Sequence, residues 1–420
     1  MTHVMSIRPL RVVIAGGGIA ALETVLAIHD LTGARLDVTV VAPEADFLLR
    51  PLTVTAPFAR GHAERLALAE VMAEHCGHFI QSTVAGIDET ARTAALADGS
   101  TLKYDLLVLA PGAVAVPAFA HAMTFGPRPL DLNGILADLE QGWSGSLAFV
   151  VPDGCSWALP LYELALMTAE EVWSMDMDAV IHFVTPELEP LEIFGARASA
   201  SLAALLDSAK IEFHGGVRAQ INHNGRIETG TGPDIVVDRV VALPALEGSR
   251  IDGIPSSPSG FIAVDDTGLI DGFTDVYAVG DATDRPIKQG GLACQQADVT
   301  AAHIAARAGA GNDVPALRQV LRGRLLTGKS DRFLERGHEA ADGVMSDDPL
   351  WWPPAKVSGK YLAPYLVSKG VVHLPARNGD DEPGVDVYVP LTWQERRQAS
   401  ILGLNSLGPI PHKAKSRSYV

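Results

Sequence analysis

The chain lacks an excess of basic residues. Its 420 residues carry 33 Lys and Arg against 50 Asp and Glu, which gives a formal net charge of −17. Proteins that bind nucleic acid present a basic face to the phosphate backbone, so this balance argues against such a partner. Charged residues make up 20 % and hydrophobic residues 47 % of the chain, as in globular proteins with large cores. At about 150 residues per domain, the length predicts two or three domains.

Cysteine is also scarce. Cys76, Cys155 and Cys294 are the three cysteines, and no Cys-x-x-Cys pair occurs. A disulfide framework and a thioredoxin-type redox pair are therefore excluded. The His75–His78 stretch, HCGH, does not predict a metal site, because three ligands at that spacing do not converge easily on one tetrahedral ion. The sequence predicts no metal.

Long hydrophobic runs are missing as well. Residues 1–10 lead directly into an apolar strand pattern and lack the order of a signal peptide. The longest uncharged stretch, residues 106–127, is interrupted by Pro111, Gly112 and Pro117, whereas a membrane span needs about 20 continuous apolar residues. We expect a soluble cytoplasmic protein, and peripheral contact with the inner face of a membrane stays open.

The N-terminal part reads as one βαβ unit. A strand over 11–15 is followed by the glycine turn Gly16–Gly18, a helix over 19–31 and a strand over 36–42, the order of a parallel sheet. Further elements predicted up to residue 110 are a helix over 62–75, a strand over 79–87, a hairpin over 94–102 and a strand over 105–110.

A second unit repeats this order from residue 146. The predicted elements are strands over 146–151, 178–184, 211–214, 235–243 and 276–279 and helices over 161–173, 198–209 and 291–308, with a Pro/Gly/Ser connector over 253–260. The last 110 residues or so lack a βαβ pattern, which is consistent with a small appended region. The sequence therefore predicts an α/β fold with two Rossmann-like dinucleotide-binding domains and a small C-terminal region.

The first glycine turn has the spacing Gly16-x-Gly18-x-x-Ala21. Glycines between a strand and a helix let the backbone approach a pyrophosphate, and the helix N-terminus supplies N–H groups. An acidic residue that binds a ribose hydroxyl is expected after the second strand, and Glu44 is the candidate. The alternatives are an ordinary tight turn and a solvated Glu44.

Two further segments accompany this turn. LLVLAPGA over 106–113 resembles the "ATG" segment of two-domain flavoproteins, with Pro111 in place of Thr, and VYAVGDAT over 276–283 resembles their C-terminal flavin motif. Over residues 10–310 the chain thus resembles the FAD-dependent pyridine nucleotide-disulfide oxidoreductases. Within them it is most similar to sulfide:quinone oxidoreductases and type II NADH dehydrogenases, through PIKQGGLACQQAD over 286–298 and RPLTV over 50–54.

The resemblance implies bound FAD and an FAD domain into which an NAD(P)-type domain is inserted. It implies these FAD contacts: Gly16, Gly17, Gly18, Ala21, Glu44, Arg50, Pro51, Val84, Ala110, Gly112, Gly280, Asp281, Gln289 and Leu292. The domain boundaries that follow are 1–113 and 253–312 for the FAD domain, 114–252 for the inserted domain and 313–420 for a C-terminal interface region.

The second glycine loop departs from the family pattern. Only Gly154 remains of a G-x-G-x-x-G, Pro152 lacks a backbone donor, and Trp157 is bulky where close approach is needed. These residues weaken the case for NAD(P)H. Glu163 lies where NADH-binding relatives carry Glu, although a carboxylate on the helix surface would explain it equally, so NAD(P)H stays open as a second cofactor.

The sulfide enzymes use cysteines to relay sulfur to the flavin. Cys155 lies in a segment similar to one that carries such a cysteine, and Cys294 lies on the helix that faces the flavin in the family. Both are candidate catalytic residues, and the alternative for each is a small buried hydrophobe. No cysteine follows Cys294, so the usual partner is absent. Gln295 and Gln296 leave a quinone contact open, although the earlier glutamine of the family pattern is Gly291.

The C-terminal segment 351–370 combines tryptophans, tyrosines and lysines with several prolines. Such a mixture suits a membrane interface, a quinone entrance, a dimer contact or a cover over another domain. The basic residues 411–420 read as a solvated tail. We expect an FAD-dependent oxidoreductase that passes electrons from a small, sulfide-like donor to an acceptor such as a quinone, working as a homodimer. The alternatives are an NAD(P)H-dependent flavin or quinone reductase and a non-catalytic FAD-binding protein.

Overall fold

The computed structural model describes residues 8–60, 65–126, 128–230, 232–311 and 313–372. Its α-helices are α1 (Ile19–Thr32), α2 (Leu68–Glu74), α3 (Leu132–Glu140), α4 (Leu159–Ser174), α5 (Ala196–Ser208), α6 (Gly290–Arg307) and α7 (Leu362–Ser368). Its strands in the first half are β1 (Leu10–Ala15), β2 (Leu36–Ala42), β3 (Asp46–Leu48), β4 (Arg65–Ala67), β5 (His78–Gln81), β6 (Val84–Asp88), β7 (Thr93–Leu96), β8 (Thr101–Lys103), β9 (Leu106–Leu109), β10 (Ala113–Val116), β11 (Met123–Thr124) and β12 (Ser146–Val150). The later strands are β13 (Val180–Val184), β14 (Ile211–His214), β15 (Gln220–Ile221), β16 (Arg226–Glu228), β17 (Ile235–Val236), β18 (Arg239–Ala242), β19 (Ala245–Gly248), β20 (Val276–Ala278), β21 (Leu321–Leu325), β22 (Arg332–Arg336) and β23 (Val344–Ser346).

The first parallel sheet has the strand order β20-β9-β1-β2-β5. Its central strands are apolar throughout and buried on both faces, as expected where both faces of a sheet are covered. Helices α1 and α6 cover one face, and the antiparallel meander β6-β7-β8 covers the other. Because α1 starts directly after β1, its N-terminus lies at the carboxyl edge of this sheet.

The second parallel sheet repeats the plan with the order β11-β18-β12-β13-β14. Helices α3, α4 and α5 pack on one face, and the small sheet β15-β16-β17 packs on the other. The fold is therefore α/β with two Rossmann-like units, as the sequence predicts.

Strand β10 pairs with β19 in an antiparallel ladder that joins the two units. After β19 the chain returns to the first sheet, where β20 pairs with β9. We keep the boundaries at 113, 252 and 312 as a proposal, and these two pairings support it.

The C-terminal region begins with the antiparallel sheet β21-β22-β23. Leu321, Leu325 and Leu334 of this sheet pack into the core of the second unit. Helix α7 packs instead against α1 and α2, with Leu362 and Leu366 fully buried. The region thus contacts both Rossmann-like units, and the acidic stretch over 378–384 and the basic residues over 411–420 lie outside the described residues.

Three predicted elements were wrong in extent. The strand over 79–87 divides into β5 and β6, which belong to different sheets, and the strand over 235–243 divides into β17 and β18. Both breaks contain only a few residues, with Ser82 and Thr83 at the first and Asp238 at the second, and polar residues of this kind also occur within half-buried strands. The helix over 62–75 begins only at Leu68, because residues 65–67 pair with β3, and residues 61–64 lie outside the described part.

No helix in the described ranges combines the length and the apolar character that crossing a bilayer requires.

Candidate dinucleotide site

The first glycine turn has close neighbours that exclude a side chain. Gly16 has φ +131° and donates its N–H to the Val41 carbonyl oxygen at 2.8 Å. A Cβ on Gly16 would stand 2.6 Å from the carbonyl carbon of Ala110 and closer to its oxygen, and one on Gly17 would stand 2.9 Å from the Ala42 Cβ. Glycine is therefore required at both positions for the backbone to turn between β1 and α1.

Gly18 differs from its two neighbours. It is exposed, and a Cβ on it would meet no atom within 4 Å. It precedes α1, which has no side-chain N-cap. The start of α1 therefore has no side-chain cap and has open space at Gly18, and uncapped N–H groups at a helix start are suited to binding a phosphate. Ala21, in the first turn of α1, is completely buried and allows close packing on the sheet.

The segment after β20 lies beside the same helix. The N–H of Gly280 donates to Gln296 Oε1 at 2.8 Å, and a Cβ on Gly280 would stand 2.9 Å from the Ala20 Cβ. Glycine here lets the segment approach α1. The next residue, Asp281, is half-buried, and its side chain makes no hydrogen bond to any other described residue. Burial raises the pKa of Asp281 to about 6, with Lys288 opposing the shift.

Such a carboxyl group, held in a partly enclosed place without a protein donor, fits a ligand that carries hydroxyl groups. The turn at Gly16–Gly18 leads into α1, and Gly280, next to Asp281, packs against Ala20 in the first turn of the same helix. A phosphate-binding helix end and a hydroxyl acceptor thus lie at one edge of the first sheet. These residues fit a dinucleotide.

Helix α6 begins at the same edge. The Gln289 side chain caps it, since Leu292 N–H donates to Gln289 Oε1 at 2.8 Å, and Gln289 Nε2 donates to the Arg322 carbonyl oxygen at 3.0 Å. Leu292 is buried in the core of the second unit. Gln289 therefore joins the start of α6 to the C-terminal sheet.

The remaining predicted contacts are dispersed. Glu44 and Arg50 are both exposed and form a loose ion pair at 3.9 Å, and Pro51 lies in the first turn of the 3₁₀ helix Arg50–Phe58. The Val84 side chain packs into the core under the first sheet, so only its backbone is free for a ligand. Gly112 follows β9 with φ +76°. The role of each predicted residue remains a prediction.

The loop after β12 lies next to the predicted flavin motif. The N–H of Lys288 donates to Ser156 Oγ at 3.2 Å, and Trp157 packs against Phe194 with ring centroids 5.9 Å apart. Cys155 is half-buried at this loop, and burial raises its pKa to about 11. The hydrogen bond between Lys288 and Ser156 thus joins the loop that contains Cys155 to the segment after Asp281. At neutral pH the thiol of Cys155 is protonated.

Cys294 has a different environment. It is completely buried on α6 among apolar side chains of the C-terminal region, and burial raises its pKa well above the usual value. This environment does not favour a thiolate. The two glutamines that follow it both bind backbone groups: Gln295 exchanges two hydrogen bonds with Val320, and Gln296 accepts from Gly280.

The carboxyl edge of the second sheet carries Glu187, just after β13. This is the position at which a Rossmann fold places its ribose-binding carboxylate. Glu187 instead accepts a hydrogen bond from Tyr162 Oη at 2.9 Å and another from Thr185 Oγ1 at 3.3 Å. Burial raises the pKa of Glu187 to about 7.

Glu163 on α4 is completely buried, so the interpretation as a helix-surface carboxylate was wrong. It accepts hydrogen bonds from Lys356 Nζ and, at 2.8 Å, from Leu326 N–H. Lys356 also donates to the Arg324 carbonyl oxygen at 2.6 Å. Burial raises the pKa of Glu163 and lowers that of Lys356.

Sequence reasoning missed Lys356, because it lies in a proline-rich stretch that reads as an interface. The neighbouring residues Val357 and Ser358 pack on α6, where a Cβ on Gly290 would stand 3.2 Å from Val357 Cγ2 and one on Gly291 would stand 2.8 Å from Ser358 Oγ. The buried pair therefore lies close to the start of α6.

No family model and no curated protein matches this chain. Solved structures do match. The sulfide:quinone oxidoreductase of Aquifex aeolicus aligns with a TM-score of 0.73 and 18 % identity, over 87 % of this chain and 96 % of that one. A ferredoxin reductase of Rhodopseudomonas palustris aligns with a TM-score of 0.56 and 18 % identity, over 80 % of this chain and 90 % of that one. NDH2 of Plasmodium falciparum, solved in complex with NADH, aligns with a TM-score of 0.54 and 14 % identity, over 66 % of this chain and 65 % of that one.

At these identities the matches establish the fold. The match to the Aquifex aeolicus enzyme covers 87 % of this chain and extends over nearly the whole of that chain. The chain has the fold of the FAD-dependent pyridine nucleotide-disulfide oxidoreductases that its sequence motifs resemble.

Proposed function

We propose that this protein is an FAD-dependent oxidoreductase that passes electrons from a small, sulfide-like donor to an acceptor such as a quinone. The observation that carries the proposal is that the turn Gly16–Gly18 and the residue Gly280, which precedes Asp281, both adjoin the start of α1 at one edge of the first sheet. The extent of the match to the sulfide:quinone oxidoreductase supports the choice of donor and acceptor.

Different residues at this edge are proposed to bind different parts of FAD. The N–H groups at the start of α1 bind the pyrophosphate, and Gly18 leaves room for it. Asp281 accepts hydrogen bonds from the ribityl hydroxyls. Gln289 fixes the start of α6 against the C-terminal sheet. When bound, FAD supplies the two-electron chemistry, and the protein supplies binding, orientation and exclusion of water.

The donor side is proposed at the loop of Cys155. The hydrogen bond between Lys288 and Ser156 joins this loop to the segment that begins with Asp281. Burial raises the pKa of the Cys155 thiol to about 11, so the thiol has to lose its proton before it can act as a nucleophile. No cysteine follows Cys294, so Cys155 works without the usual partner.

The buried pair Glu163–Lys356 lies beside the start of α6. Burial raises the pKa of Glu163 and lowers that of Lys356, so burial disfavours the charged form of both groups. Glu163 Oε2 is buried and has no hydrogen-bond partner in the described residues. We assign this pair the role of taking up or delivering the proton that accompanies electron transfer.

An NAD(P)H-dependent reductase is the second candidate. The Rossmann-like order of the second sheet supports it, and so does the match to NDH2, which was solved with NADH. Two features oppose it: Pro152 in the glycine loop and the hydrogen bond that occupies Glu187. We retain a homodimer and peripheral membrane contact as proposals that accompany a quinone acceptor.

An anaerobic titration tests these proposals. The purified protein is reconstituted with FAD, and its visible spectrum is followed during parallel additions of sulfide and of NADH. We expect sulfide to bleach the flavin band, and Cys155→Ser to abolish the bleaching while FAD stays bound. Cys76→Ser is the matched control, because Cys76 is exposed and lies outside the site.

Other outcomes discriminate clearly. If no FAD binds, the whole proposal is wrong. If NADH alone bleaches the flavin, the protein is an NAD(P)H-dependent reductase. If FAD binds and no donor reduces it, the protein is a non-catalytic FAD-binding protein.

A further inference from the structure

Two histidines and a glutamate converge on the outer strands of the second sheet. His182 lies in the middle of β13, and Glu212 and His214 lie on β14. His182 and Glu212 are register partners in the parallel ladder. Because side chains alternate between the faces of a strand, Glu212 and His214 point to the same side as His182. The fold thus brings together residues about 30 positions apart in the sequence.

The three ligand atoms form a small triangle. His182 Nδ1 lies 3.2 Å from Glu212 Oε2 and 3.2 Å from His214 Nε2, and the third side, from His214 Nε2 to Glu212 Oε2, is 4.0 Å. In a tetrahedral site with metal–ligand bonds of about 2.0 to 2.1 Å, the ligand atoms are about 3.3 Å apart. Two sides already match this value, and a small rotation of the exposed Glu212 side chain shortens the third.

Hydrogen bonds alone satisfy this cluster poorly. His182 Nδ1 lies 3.2 Å from both an imidazole nitrogen and a carboxylate oxygen. Whichever tautomers the two neutral rings adopt, no arrangement of their protons gives both contacts a full hydrogen bond. Among the described residues, the ion-pair partners of Glu212 are these two histidines, and no lysine or arginine shares the carboxylate. Electron-rich atoms therefore meet without a resident cation.

The surroundings suit a bound ion. The His182 side chain is 14 % exposed and that of His214 is 30 % exposed, whereas Glu212 is 58 % exposed. Apolar residues of the core shared with β15-β16-β17 line the same face of the sheet. The rings are thus held in place by their strands, and the solvent side leaves a fourth position for water.

We propose that His182, Glu212 and His214 form a binding site for a divalent transition-metal ion, with zinc as the ion that this ligand set favours. Two imidazoles and one carboxylate are ligands that zinc accepts readily. Within the described residues, this is the one group of three such side chains whose ligand atoms all lie within 4.8 Å of one another.

The site joins the edge strand β14 to β13, so the ion is expected to stabilise the second unit. Isothermal titration calorimetry of chelator-treated protein with zinc chloride measures binding, and elemental analysis after dialysis measures stoichiometry. We expect one zinc per chain and a melting temperature that rises with zinc. His182→Asn, His214→Asn and Glu212→Gln should each weaken zinc binding at least tenfold.

His223→Asn is the matched control. His223 and His121 form a histidine pair with ring centroids 6.2 Å apart, and no third ligand completes a metal-binding group with them among the described residues. It should leave zinc affinity unchanged. Glu212→Gln keeps the test valid if a histidine variant fails to fold, because Glu212 is largely exposed. Absence of stoichiometric binding, or equal affinities in Glu212→Gln and His223→Asn, would overturn the proposal. FAD binding is measured separately, so its failure does not affect the result.

Discussion

Gly16 lies so close to the carbonyl group of Ala110 that the two cannot accommodate a side chain between them. A Cβ on Gly16 would stand 2.6 Å from the carbonyl carbon, and the φ of +131° is itself strained for other residues. We therefore expect Gly16→Ala to lower the free energy of unfolding by more than about 3 kcal/mol, through clash and backbone strain together. Urea denaturation followed by circular dichroism measures this, and a loss below about 1 kcal/mol would contradict this geometry of the turn.

Gly18→Ala separates ligand binding from folding. The added methyl group meets no protein atom within 4 Å, and the φ of −90° suits alanine. We expect the free energy of unfolding of the FAD-free protein to change by about 1 kcal/mol or less. FAD affinity should fall at least tenfold, because the methyl group occupies the space of the pyrophosphate. Quenching of FAD fluorescence measures the affinity, and an unchanged value would place the pyrophosphate elsewhere.

FAD affinity should also depend on pH through Asp281. Its pKa is raised to about 6 without ligand, and hydroxyl donors favour the charged carboxylate. FAD binding then releases a proton below pH 6. Affinity should therefore be nearly constant above about pH 7 and should decrease by up to about tenfold per pH unit below 6. Binding isotherms between pH 5 and 8 measure this.

Asp281→Asn is the control for this dependence. It should bind FAD more weakly at pH 7.5 and lose the decrease between pH 7 and 5. If the variant keeps the same pH profile, another group is responsible.

The sequence predicted those parts of the fold and of the candidate site whose residues are contiguous in the chain. The first β-strand, the glycine turn and α1 are contiguous, so β1, Gly16–Gly18 and α1 appear in the structure close to their predicted bounds. The repeat of this order predicts the second sheet. Motif order also predicts which family the fold resembles.

Contacts between distant segments could not be predicted in the same way. His182 and His214 meet only because β13 and β14 pair in one register, and no short motif records that register. The sequence therefore predicts no metal, whereas the structure supports a proposal of one. Lys356 lies 193 positions from Glu163, and its proline-rich surroundings indicate an interface rather than a buried charge.

The buried pair Glu163–Lys356 allows a sharp test of the site. The Lys356→Met substitution removes the cation and leaves the Glu163 carboxylate buried without a counter-charge. We expect this to lower the free energy of unfolding by about 3 to 5 kcal/mol. Because burial raises the pKa of Glu163, protonation relieves that cost. The destabilisation should therefore be largest at alkaline pH and shrink as the pH falls, since the folded state then binds a proton more tightly than the unfolded state.

The double variant Glu163→Gln/Lys356→Met completes the cycle. The introduced glutamine still accepts from Leu326 N–H and carries no charge. The double variant should therefore recover at least half of the loss and should lack the additional pH dependence of Lys356→Met. Thermal unfolding of all variants between pH 6 and 9 measures both effects. Equal losses in the single and double variants would mean that packing, rather than the charge on Glu163, sets the stability. Slower turnover in a well-folded double variant would then support the proposed role of the pair in the proton transfer that accompanies electron transfer.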